Sequence, residues 1–125
     1  MAARSVKRAI VIVDHGSRRE AANAVVVELA HALQARSGER ALVAWAHMEG
    51  AEPLLPEAID ACVSQGALEV TVQPLFLVPG KHATRDIPEL LAAAGQRHPH
   101  VRFELGQVIG ADPLLVELLS QRCGL

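Results

Sequence analysis

The chain reads as an α/β protein, a single three-layer domain built on a four-stranded, mainly parallel sheet. Three observations predict this. Short apolar runs bounded by turn residues alternate four times with segments of helical periodicity, as repeated strand–helix units do. The run Ala9-Ile10-Val11-Ile12-Val13 is apolar on both faces, as a central parallel strand covered by helices must be. The length is 125 residues and half of them are hydrophobic, which suits one domain with a real core. Phe76, Phe103 and Trp45 are the only aromatic residues, so Val, Leu, Ile and Ala must pack that core. The domain is expected to occupy 1–125, with its core over about 7–119. Right-handed crossovers then place helices on both faces of the sheet.

Each element has local signals. The first strand runs from Arg8 to Asp14. Ser17-Arg18-Arg19-Glu20 resembles a capping box, with Ser17 accepting from the Glu20 amide. The helix it opens carries Ala22, Val26, Leu29 and Leu33 at helical spacing and stops at Gly38. The second strand covers about Ala41 to Met48. Pro53 is a good first-turn residue for the second helix, which ends at Gly66 and turns Leu55, Ile59, Cys62 and Val63 inward. The third strand covers about Leu68 to Leu75, with Pro74 removing one ladder donor near its end. Asp86 is the expected cap of the third helix. Val101, Phe103 and Leu105 alternate with Arg102 and Glu104, which marks an edge strand with one wetter face. Asp112-Pro113 opens the last helix.

Composition narrows the function. The net charge is −2 and the basic residues form no run, which argues against a nucleic-acid surface. No apolar segment approaches membrane-spanning length. Arg4, Lys7 and Arg8 precede an apolar run too short for a secretory signal, so a cytoplasmic setting is expected. Cys62 and Cys123 form neither a CxxC pair nor a zinc-ribbon spacing. Cys62 reads as a small buried hydrophobe. No Gly-x-x-x-x-Gly-Lys-Ser/Thr loop is present, so nothing points to a nucleotide cofactor.

The chemistry sits where strands end. His15 follows the first strand, Glu49 the second and His82 the third, one strand–helix unit apart each time. Parallel strands share a direction, so all three emerge at the carboxyl edge of the sheet, where ligands bind in open α/β folds. Two imidazoles and a carboxylate form a reasonable divalent-metal set. An imidazole that is neutral near pH 7 also accepts protons, so metal and proton chemistry both remain open. His47 is a weaker fourth candidate. His31, His98 and His100 read as surface residues. A phosphatase that places a histidine after its first strand would need an arginine before it. Asp14 stands there instead and would repel an anion.

Three segments carry a family resemblance. Val13-Asp14-His15-Gly16-Ser17-Arg18, Met48-Glu49-Gly50-Ala51-Glu52-Pro53 and Pro74 through His82, continued by Arg85-Asp86-Ile87-Pro88, are similar to the short form of the CbiX-type class II chelatases. The resemblance runs from about Lys7 to Leu119. It implies ATP-independent insertion of a divalent metal into sirohydrochlorin, in cobalamin or siroheme biosynthesis. Cobalt is the first expectation, with Fe²⁺ or Ni²⁺ in relatives. It places the catalytic histidines on His15 and His82 and the acidic member of the metal set on Glu49. Arg18, Lys81 and Arg85 flank the two histidines and are expected to meet some of the substrate's carboxylates, with Ser17 a further substrate-binding candidate. Longer members of the family carry two such units, so a homodimer is expected here. The competing reading is a metal or tetrapyrrole carrier on the same fold.

Overall fold

The computed structural model describes residues 7–125, apart from the side chains of residues 83 and 84. Arg4 lies outside the described residues. The elements run β1 (Arg8–Asp14), α1 (Glu20–Ser37), β2 (Leu42–His47), α2 (Leu55–Ser64), β3 (Glu69–Pro74), a π-helical turn (His82–Asp86), α3 (Ile87–Arg97), β4 (Arg102–Leu105) and α4 (Pro113–Arg122). The sheet has four strands in the order β2-β1-β3-β4, and every neighbouring pair is parallel. The expected α/β architecture is therefore present, with β4 at an edge.

Side chains alternate across the sheet and divide the core in two. Ala9, Val11 and Val13 of β1 join Val70 and Val72 of β3 beneath Leu55, Ile59 and Cys62 of α2 and Ile87 and Ala94 of α3. On the other face Ile12 and Val43 pack with Val26 and Ala30 of α1, flanked by Ile10, Trp45 and Leu75. Cys62 is fully buried, and burial pushes its thiol up to about 11, so it acts as a hydrophobe and not as a thiolate.

Several boundaries differ from expectation for local reasons. Helix α1 begins at Glu20, and Arg19 occupies its cap position without a side-chain cap. Ser17 Oγ accepts from the Arg19 amide at 3.0 Å, one residue short of the expected Glu20 bond. The Ser17 backbone is held by Asn23, whose side chain accepts from its amide and donates to its carbonyl. The inward stripe of α1 is Val26, Ala30, Leu33 and Ser37, while Ala22 and Leu29 face solvent. Pro56, and not Pro53, is the first-turn proline of α2. Asp86 is helical and caps nothing, because the chain has already coiled into the π-helical turn. Asp112 behaves as expected, accepting from the Leu114 amide at 2.8 Å. Helix α4 itself buries none of its residues. Among the described residues, no helix is long and apolar enough to cross a membrane.

Candidate metal centre

Strand order decides which strand ends meet. The chain passes from β1 outward to β2, then returns across β1 to β3. The crossovers therefore diverge between β1 and β3, and their carboxyl ends open a crevice there. His15 leaves β1 and His82 follows β3, so both reach this crevice. Their ring centroids stand 5.1 Å apart with the planes tilted by 56°. Glu49 follows β2, on the other flank of β1.

The two rings are held differently. His15 is exposed but stacks on buried Phe76, with centroids 4.1 Å apart and planes within 16°. Phe76 is a rigid floor, since it belongs to the packed core. The strand-end rule that points to His15 and His82 does not reach it. A signal was there: the phenylalanine stands alone in the aliphatic stretch that leads from Pro74 to His82. His82 sits in the first position of the π-helical turn, a local geometry that recurs at functional sites. Its Nδ1 lies 3.0 Å from Asp86 Oδ2, one turn on. The atom is buried and makes no hydrogen bond, so distance is met but direction is not. A proton taken up by His82 would still stand beside that counter-charge.

The remaining candidates surround the pair less closely. The Glu49 amide donates to the His15 carbonyl at 3.1 Å, so the two loops are tied through backbone. The Glu49 side chain is exposed. Among the described residues no group of three or more His, Cys, Asp or Glu is arranged to hold a metal ion. The structure thus brings His15 and His82 together and leaves Glu49 beside them. Arg18 and Lys81 are exposed. Arg85 is also exposed and lies 3.3 Å from Asp86. Ser17 has its hydroxyl engaged within the turn before α1. His47 is buried and pairs with Asp14. His31 and His100 are exposed, whereas His98 is partly buried on Asp60 at 2.8 Å.

Comparison with known proteins gives one consistent answer. The family model CbiX matches residues 9–124. The sirohydrochlorin ferrochelatase of Arabidopsis thaliana chloroplasts is 39% identical over 113 residues, which is 90% of this chain and 50% of that protein. A sirohydrochlorin cobaltochelatase of Methanosarcina barkeri is 30% identical and is covered over 94% of its length. Among solved structures, the sirohydrochlorin chelatase SirB of Bacillus subtilis, in complex with cobalt, superposes with a TM-score of 0.87 at 34% identity. The match takes in 95% of this chain and 50% of that one. The chain spans about half the length of several relatives it matches, and nearly the whole of others.

Proposed function

We propose that this chain, which belongs to the CbiX family, inserts a divalent metal ion into sirohydrochlorin without a nucleotide cofactor. The observation that carries the reading is the facing pair His15 and His82, 5.1 Å apart at the sheet's switch point. Insertion exchanges two pyrrole protons for one M²⁺ ion, and the free base and the ion become the metallated macrocycle plus two H⁺. A neutral imidazole serves both halves of that exchange, by holding the ion and by accepting a proton. Asp86 stands 3.0 Å from His82 Nδ1, one turn along the same helical segment. Arg18, Lys81 and Arg85 are exposed cations suited to the carboxylates of the substrate. Leu77 and Val78 are exposed large apolar residues between β3 and His82, and suit its flat face. Glu49 adds negative charge on a loop hydrogen-bonded to His15. As a third ligand, Glu49→Gln would weaken Co²⁺ use without changing stability. A loss of stability with normal kinetics would assign it a structural role.

Cobalt is the metal we favour, with iron and nickel as competitors. Relatives are named for both cobalt and iron, and divalent affinity alone does not select between such ions. A cytoplasmic setting and a homodimer belong to the same proposal. Helix α4 supports the dimer, because it leaves Leu114, Val116, Leu118 and Leu119 exposed. Two-fold pairing is the commonest way to cover such a surface. Sedimentation across a dilution series should give a dimer, and a monomer with full specific activity would remove it. The main test is absorbance of sirohydrochlorin with Co²⁺, Fe²⁺ or Ni²⁺ in turn. Many turnovers per chain are expected. Stoichiometric binding without product would instead identify a carrier.

A further inference from the structure

We infer that Asp14 and His47 form a positioning pair that fixes the His15 imidazole against His82. This rests on the reading of His15 as a metal- and proton-handling group. Asp14 and His47 are the last register partners of β1 and β2. Neighbours in register on a parallel pair project to the same face, and here their side chains meet, with Asp14 Oδ1 2.6 Å from His47 Nδ1. The His47 side chain is 3% exposed and that of Asp14 18%. A buried carboxylate–imidazole pair brings little net stability compared with apolar residues of similar volume. The surrounding rungs, Ile12 and Val43 among them, are apolar. Stability alone therefore does not account for this pair.

The neighbouring backbone shows what the pair controls. On its β3 side, β1 is tied as far as Val13, whose carbonyl accepts from the Leu75 amide at 2.8 Å. Beyond that rung the backbone of β1 bonds to the end of β2 and its loop. The Met48 amide donates to the Asp14 carbonyl at 2.9 Å and the Glu49 amide to the His15 carbonyl at 3.1 Å. Gly16 follows at φ +86°, where a Cβ would lie 1.7 Å from the Glu49 carbonyl oxygen and 3.1 Å from His47 Cβ. Any side chain at that position would force the two loops apart. His15 thus sits between a residue clamped by His47 and a residue pressed on Glu49. Releasing the clamp frees the end of β1 to turn relative to the segment after β3, in which Phe76 lies and which leads to His82. The His15–His82 spacing is the quantity that would change.

The test uses the full chain with Asp14→Ala, His47→Ala, the double variant and Asp14→Asn, which keeps an oxygen able to accept from the His47 ring. Three properties are read: histidine ring NMR signals of the metal-free protein, Co²⁺ affinity by titration with the ion alone, and the split of insertion kinetics into kcat and KM. Partners that orient a ligating histidine are worth about 10- to 100-fold in metal affinity or activity. Each alanine variant should therefore shift the His15 ring signals and lower Co²⁺ affinity and kcat by about that factor, with KM for the tetrapyrrole unchanged. The double variant should be no worse than either single, and Asp14→Asn should recover most of the loss. Unmoved His15 signals with unchanged affinity and kcat in Asp14→Ala, or in His47→Ala if the Asp14 variant does not fold, would overturn the pairing role. His15 signals that shift in the variants, while the unsubstituted protein shows no insertion, would remove the chelatase reading and keep the positioning role.

Discussion

At the crevice between β1 and β3, His15 lies on Phe76 and faces His82. Along α4, Leu114, Val116, Leu118 and Leu119 are exposed, Leu114 by 81%. The two regions use apolar residues in opposite ways. In the crevice a buried aromatic ring is a floor for polar rings, so core packing sets how the two imidazoles lie. On α4 the apolar side chains stay exposed among the described residues, and none of them is buried. Hydrophobic residues specify burial, and only the topology says whether this chain supplies the cover.

The largest expected effect breaks the crevice. His15→Ala and His82→Ala should each lower metal insertion by at least ~10²-fold, the scale for losing a positioned acid or base. Neither ring is part of the buried core, so thermal unfolding should be nearly unchanged. Near-normal turnover in both variants would show that the facing rings do not perform the chemistry. A smaller effect separates the core from α4. Ile59 is fully buried beneath the sheet, so Ile59→Ala should cost about 2–5 kcal/mol in urea unfolding. Leu118 is 42% exposed, and at low protein concentration Leu118→Ala should stay within about 0.5 kcal/mol of wild type. An equal loss for both would mean that α4 is part of the monomer's core.

Much of this contrast was legible in the sequence, and the misses have physical causes. The bounds of β1 followed from an apolar run with charged flanks, and Asp112 was a readable cap. That His15 and His82 share one edge follows from parallel strands, which must deliver their ends to the same side. Their meeting, with Glu49 left on the far flank of β1, depended on strand order, which no local pattern encodes. The stripe of α1 follows expectation at Val26 and Leu33 and departs from it at Ala22 and Leu29, which face solvent. Its first turns, Ala21 through Val27, are apolar on nearly every side, so several stripes fit equally well. Phe76 was passed over because a buried aromatic announces packing and not the ring stacked upon it. The exposure of α4 was hidden for the converse reason, since leucines on a helix look the same whether or not a partner is present.

The smallest expected effect lies on the well-packed side, where α2 meets the end of α3. Asp60 Oδ1 receives His98 Nε2 at 2.8 Å and Arg97 Nη2 at 2.9 Å. Burial on its own would raise the Asp60 pKa, but the hydrogen bonds from His98 and Arg97 and their charges outweigh it and hold the carboxyl below its ordinary 3.8. A lowered folded-state value means that the pair's stabilisation is complete above 3.8 and is lost as pH falls through the folded-state pKa. The Asp60 side chain is 46% exposed, so water and salt screen the gain. Asp60→Asn should therefore cost only about 0.2–1 kcal/mol near neutral pH. The difference from wild type should shrink with added salt and close in acid. A penalty that persists unchanged in acid would show that Asp60 joins the two helices by shape and hydrogen bonding, with its charge contributing nothing.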